Sequence, residues 1–436
     1  MNNFKEYAIE QKHWSALLPM AFLMLSFLRI TVFQSVGIVI TYLMFFLVAA
    51  LILLKNRLRL SVEDWHIVFL FHLPFWFFFS TASFPSVFIH ADYIDFFPQT
   101  FGRMANVTIY LLFFLFTIDI KNRDNISTNK LFRAYIIGCY ILLFFGIWQI
   151  LSMMFNVPFL NISTRTHIHS MDKSALPQFL NMRVTSIAEE PAYLIPFLID
   201  AIIILFYTSK KYFSIALFAI CLLFTLSLSG YANFFLIAIV MCFFIKNTKT
   251  GLAIKTSSSI IGSFAVGSIG TIVSAVIARF KWSELIESGR LQEMIIPLNY
   301  MIFDAPLYNQ IFGFGPKGMG YLSTFLTYTT GWNAGGLIAV TSHFIFIDLF
   351  VEHGIIGLAA IVLLFYYLYL LSAKVYKITK TRLAQILWLN LLITSLYTSD
   401  YASPRFTIII LFLLCLYKDA KKACSKITQL RSPDPR

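Results

Sequence analysis

Charge is what this sequence has least of. Charged residues are 13% of its 436 positions, where a water-facing globular surface needs a chain with about a quarter, so an ordinary soluble globule is excluded. Cysteine is also scarce. Of five, Cys139, Cys221, Cys242 and Cys415 fall in apolar runs and Cys424 in the C-terminal tail, which implies no disulfide framework. No cleavable signal peptide is expected: residues 1–12 are polar, and the apolar run after Trp14 lacks a small-residue cleavage site. The glycine-rich run 313–320 has no Gly-Lys-Ser/Thr ending, so it is not a nucleotide-binding loop. His167, His169 and His343 have no cysteine partners and no ligand spacing, so no metal and no cofactor is expected. The two halves share no visible repeat, which leans away from a repeat-built transporter.

What is present is apolar. At 58% hydrophobic residues and a mean hydropathy of +0.76, the chain reads as an all-α, polytopic integral membrane protein. Apolar windows near bilayer length fall at 14–30, 34–54, 65–82, 103–120, 134–155, 191–208, 213–228, 231–245, 257–279, 342–372, 383–399 and 405–417. That predicts about twelve transmembrane helices in a single domain, 1–417, followed by a cytoplasmic tail, 418–436. A net charge of +13 would suggest nucleic acid in a soluble protein. Here it follows from topology, and no nucleic-acid partner is expected. Most Lys and Arg lie in alternate short loops and in the tail, which by the positive-inside rule puts both termini in the cytoplasm. The remaining loop mass, chiefly two large loops at about 156–190 and 280–341, is then extracytoplasmic, and chemistry is expected there.

Several residues could carry that chemistry. The first large loop ends in Arg183-Val-Thr-Ser-Ile-Ala-Glu189-Glu190-Pro191. Pro191 suits the first helical position, so Glu190 would sit at a helix N-terminus that stabilises its anion. A carboxylate so held can act as a general base toward a hydroxyl, or it can simply cap the span. In the second loop, Arg290 opens an amphipathic helical pattern interrupted by Pro297, suited either to meeting a lipid-borne phosphate or to pairing with Glu293. Lys317, in the glycine-rich run, could touch phosphate, although a tight turn returning the chain to the membrane is the plainer reading. His343 begins a long span that also carries Asp348 and Glu352, and ionisable residues at such depth are functional suspects. Arg29, Arg103, Arg165, Arg279 and Arg405 lie near outer span ends, where most would snorkel. Arg405, after a proline-bounded turn, is added to the anion site.

Taken in order, Arg183 with Glu190-Pro191, Leu226-Ser-Leu-Ser-Gly230, Ser288-Gly-Arg290, Phe312-Gly-Phe-Gly315, and His343 with Gly354-Ile-Ile-Gly357 resemble the Wzy-type O-antigen and capsule polymerases, in the group that also holds the O-antigen ligases. The resemblance covers about the second half of the chain. It implies a glycosyltransferase in lipopolysaccharide or other polysaccharide biosynthesis, working at the outer face of the bacterial inner membrane. Such an enzyme joins undecaprenyl-diphosphate-linked repeat units, takes a lipid-linked glycan as donor and another as acceptor, and has a chain-length regulator and a flippase as partners. By the same resemblance Glu190, Arg290 and His343 would be catalytic and Arg183, Arg290 and Arg405 would hold diphosphate, with Glu189, Arg165, Arg279 and Lys317 as further candidates. Phe344 stands where the ligase pattern has a small polar residue, which favours polymerase over ligase. Arg183 and Arg290 are followed eleven positions on by Leu194 and Met301, so the Arg-to-Gly spacing of some polymerases is absent. A ligase, and less readily a precursor transporter or flippase, remain alternatives.

Overall fold

Helices begin and end close to where hydropathy changes. The computed structural model describes residues 17–30, 34–54, 58–81, 97–124, 126–155, 157–159, 184–188, 191–225, 227–244, 289–316, 318–320, 322, 344–398 and 401–431, and among them there are helices and no strand. In chain order these are α1 (Leu17–Leu28), α2 (Gln34–Leu54), α3 (Val62–Thr81), α4 (Phe97–Asp124), α5 (Thr128–Phe155), α6 (Pro191–Thr208), α7 (Tyr212–Leu223) and α8 (Leu228–Phe244). The second half holds α9 (Gly289–Asn299), α10 (Leu307–Phe312), α11 (Ile345–Thr379), α12 (Leu383–Thr394) and α13 (Pro404–Arg431). Each apolar window read from the sequence falls on one of these helices except 257–279, which lies outside the described residues.

Among the described residues, four stretches are long and apolar enough to cross a bilayer: Gly102–Asp124, Thr128–Ser152, Pro191–Thr208 and Ile345–Thr379. Their surroundings suit lipid. Val39, Leu43 and Phe46 on α2, Phe69 on α3, and Leu363 and Tyr366 on α11 are more than half exposed. In water such stripes would be aggregation sites, whereas hydrocarbon tails accept them. The inward faces form one large apolar core. At its centre α11 packs against α3, α10, α12 and α13, and α13 also packs on α4 and α5.

One end of the bundle is laced by ion pairs. Lys121 meets Asp419 at 2.8 Å, Arg123 meets Asp119 at 2.8 Å, Lys418 meets Asp64 at 2.7 Å and Lys421 meets Glu63 at 2.9 Å. The scarce acids are thus used to tie the basic ends of α4 and α13 to α3 and to each other. Arg103 lies 18 residues before Lys121 on the same helix, about 27 Å away at 1.5 Å per residue. It therefore marks the opposite end.

Against that opposite end sits a second, smaller core. Met301, Ala305, Met319 and Leu322 from the second large loop bury themselves against Ile347 and Val351 of α11, with Met294, Ile296, Leu298, Tyr300, Phe314, Phe344 and Phe350 around them. The described part of the loop, within 289–322, is therefore a folded cap. Pro297 does not interrupt its helix, as the sequence suggested; α9 runs through it and widens into a π turn, Tyr300–Asp304, closed by the amide of Ala305 donating to the Tyr300 carbonyl at 2.8 Å. A local π turn is one way a helix absorbs such a ladder defect.

Candidate functional site

The cap is seated by a break in α11. Gly354 has φ 63° and ψ −159°, a conformation essentially restricted to glycine, and it interrupts the helical ladder. Carbonyls beside such a break need donors from elsewhere. The glycine-rich run supplies them: Phe314 N–H donates to the Val351 carbonyl at 2.8 Å and Gly315 N–H to the Glu352 carbonyl at 2.7 Å. Both chains must approach closely for this. A side chain at Gly313 would meet the backbone of Glu352 and His353, and one at Gly354 would meet that of Ile311 and Phe312. The run expected to be a turn is therefore the contact that locks the cap to the bundle.

Glu352 carries the lock into the helix bundle. Arg103 Nη1 of α4 donates to its Oε1 at 3.0 Å, and the Tyr401 hydroxyl, just before α13, donates to its Oε2. The Arg103 guanidinium lies 4.6 Å from the Tyr401 ring centroid, a cation–π contact on top of the ion pair. Arg103 is 6% exposed and Glu352 fully buried. Arg103 is thus a buried ion-pair partner and not a snorkelling anchor. An anion this deep persists only when paired and hydrogen-bonded, and Glu352 has both.

Four residues further on, Arg405 makes a second buried pair. Its Nε donates to Asp200 Oδ2 at 2.7 Å and its Nη2 to Oδ1 at 3.1 Å. Tyr135 of α5 and Asn390 of α12 also donate to that carboxylate, at 3.0 and 2.6 Å. Four donors fill the roughly four acceptor positions of a carboxylate, so Asp200 is a structural anion. The pairing also corrects the expectation for Arg405: a loop site for an anionic ligand was anticipated, and the side chain points into the bundle, 2% exposed, against Asp200. Leaving Asp200 buried without a cation would cost several kcal/mol, which is the physical reason for that orientation.

The segment between Arg183 and Glu189 is likewise folded. Residues 184–188 are all buried and form a tight turn in which Ala188 N–H donates to the Thr185 carbonyl at 2.9 Å. Gln149 of α5 accepts from the amides of Thr185 and Ser186 at 3.0 and 2.8 Å, Ser186 Oγ donates to the Leu142 carbonyl at 2.7 Å, and Val184 N–H donates to Phe224 at 2.9 Å. Irregular backbone inside a helical bundle needs this degree of satisfaction. These bonds also hold Ser186 at φ 56°, unusual for a residue with a side chain. Gly146 lets α5 pass close to α7: a Cβ there would stand 2.5 Å from Cys221 Sγ, while Ser186 and Val184 lie at ordinary contact distance, 3.8 Å.

The candidates from sequence fall unevenly on this frame. Arg165, Arg183, Glu189, Glu190, Arg279, Lys317 and His343 lie outside the described residues. Arg290 is the second residue of α9, and its side chain is also outside them. Their chain neighbours belong to the frame: Met294, one turn after Arg290, and Phe344, next after His343, pack in the same small core, while 184–188, between Arg183 and Glu189, is held by buried hydrogen bonds. Sequence reasoning took Arg103 for an interfacial anchor and gave no role to Tyr401 or Gln149. A polar or charged residue inside an apolar run was the available sign. Among the described residues no group of His, Cys, Asp and Glu could hold a metal ion. No family model matches the chain, and no curated protein matches it either.

Proposed function

We propose that this protein is a glycosyltransferase of about twelve spans in the bacterial inner membrane, both termini cytoplasmic, that polymerises undecaprenyl-diphosphate-linked oligosaccharide repeat units at the outer face. The observation that carries this reading is the folded cap. It seats the segment bearing Arg290 on the first turns of α11, which directly follow His343, at the bundle end away from the lysine-rich face. A cap over helix ends at the bilayer surface suits a substrate whose lipid lies in the membrane and whose sugars lie outside it.

In the proposed reaction Glu190 takes the proton from an acceptor hydroxyl, whose oxygen attacks the donor's anomeric carbon. The bond from that carbon to the diphosphate breaks, and undecaprenyl diphosphate leaves. Arg183 and Arg290 stabilise the negative charge that develops on the leaving group, an electrostatic role, and His343 orients phosphate or acceptor. Arg405, neutralised by Asp200, supports the site through the bundle and not by touching diphosphate. The broken helix would also be the first thing to look for in a transporter. Here the carbonyls beside the break are taken by Phe314 and Gly315 of the chain itself, which supports the enzyme reading.

The test is reconstitution with purified lipid-linked repeat units and no other acceptor, with product length read on gels. Wild type is expected to give longer lipid-linked glycans, and Arg290→Ala and Glu190→Gln to give little or none. Unchanged polymer length and amount in both variants would refute the mechanism, and substrate translocation without a new glycosidic bond would refute the activity.

A further inference from the structure

At the basic end of the bundle, two helices leave a cleft between them. Its volume is about 460 Å³, and it is lined by Lys374, Lys377 and Ile378 of α11 and by Tyr417, Lys421, Cys424 and Ser425 of α13. The spacings put each set on one helix face: i, i+3, i+4 on α11 and i, i+4, i+7, i+8 on α13. Lys374 and Lys377 are exposed, as is the 38% exposed Ile378. Lys374 Nζ stands 5.9 Å from the Tyr417 ring centroid. Among the described residues, Lys421 has a carboxylate at hand, Glu63 of α3, and no acidic residue lines the cleft.

We propose that this cleft binds the headgroup of an anionic phospholipid, with Lys374 and Lys377 on the phosphate and with Ile378 and the Tyr417 ring against the glycerol and the first acyl carbons. Charge complementarity selects this occupant. Lys374 and Lys377 line the cleft together with an aromatic ring and an aliphatic side chain, at the end of α11, which is long and apolar enough to cross a bilayer, as in basic pockets between membrane helices that hold phospholipid headgroups. Neighbouring basic residues are engaged elsewhere. Lys418, one position after Tyr417 on α13, is turned to Asp64 and Asn122, and Arg382 lies over Tyr376 and donates to Gln385. The proposal rests on the membrane reading of the fold and is independent of the glycosyl-transfer reading, so either can fail alone.

Native mass spectrometry of the detergent-purified protein tests it, with phosphatidylglycerol, phosphatidylethanolamine and phosphatidylcholine of matched acyl chains. Wild type is expected to retain phosphatidylglycerol in preference to the other two. Lys374→Gln with Lys377→Gln should weaken that retention by about fivefold per lysine, and Lys374→Arg with Lys377→Arg should keep it. Lys211→Gln, an exposed lysine on the α6–α7 connection, should leave it unchanged. Equal retention of all three lipids, or an equal loss in the Lys211 variant, would overturn the proposal by showing only diffuse attraction. Displacement of the lipid by millimolar inorganic phosphate would also overturn it, in favour of a free-phosphate site.

Discussion

Replacing Arg103 with methionine removes the cation from Glu352 while keeping a long side chain in its place. Glu352 is fully buried, and the Tyr401 hydroxyl would remain on its carboxylate. Breaking a buried pair by deleting one partner typically costs about 3–5 kcal/mol. The loss of the cation–π contact with Tyr401 adds about 0.5–2 kcal/mol, and relaxation of Glu352 to its neutral form would return part of the total. A net destabilisation of about 3 kcal/mol is therefore expected. Arg103→Met with Glu352→Gln removes both charges and should recover most of that loss, because no unpaired charge is then left buried. The four proteins form a double-mutant cycle with an expected coupling of about 2 kcal/mol, at the upper part of the range for residues in contact. Unfolding by SDS in mixed micelles, followed by tryptophan fluorescence, measures each stability. A single variant within 1 kcal/mol of wild type, or a double variant as unstable as the single, would refute the idea that this pair holds α4, α11 and α13 together.

Three further outcomes follow from the same geometry. Gly354→Ala forces a side chain into a glycine-only conformation, at about 1–3 kcal/mol, and against Ile311 and Phe312; faster amide exchange at Phe314 and Gly315 is expected, and unchanged protection there would show that the cap is not latched at the break. Gln149→Leu removes the side-chain acceptor of the Thr185 and Ser186 amides, about 1–3 kcal/mol for each buried group that loses its bond, so exchange over 184–188 should rise and polymer synthesis should fall together; full activity with an exchanging turn would separate the two. The Glu63 carboxyl is lowered from 4.5 to about 2, chiefly by its hydrogen bond from Lys421. A lowered acid stabilises the fold above its unfolded value and loses that contribution as pH falls from about 4.5 toward 2. Because Lys421 is largely exposed, the gap between wild type and Glu63→Gln should be under about 1 kcal/mol at pH 7 and should close across that window; a gap that grows on acidification would contradict the pairing.

The hydrophobic pattern alone determined where the helices lie, because a helix that satisfies its own backbone in an apolar setting needs little besides length and greasiness. The start of α6 at Pro191 and of α9 beside Arg290 could be read in the same way, from a proline and a helical period. Partner choice was not legible. Arg103 and Glu352 are 249 residues apart and Asp200 and Arg405 are 205 apart, and nothing local in either neighbourhood distinguishes a snorkelling arginine from one that will meet a buried acid. That depends on which helices pack together and at what height, which only the tertiary structure decided. The same reason turned Arg405 inward to Asp200 and made the glycine-rich run a latch: its amides are ordinary until the break at Gly354 brings two carbonyls within their reach.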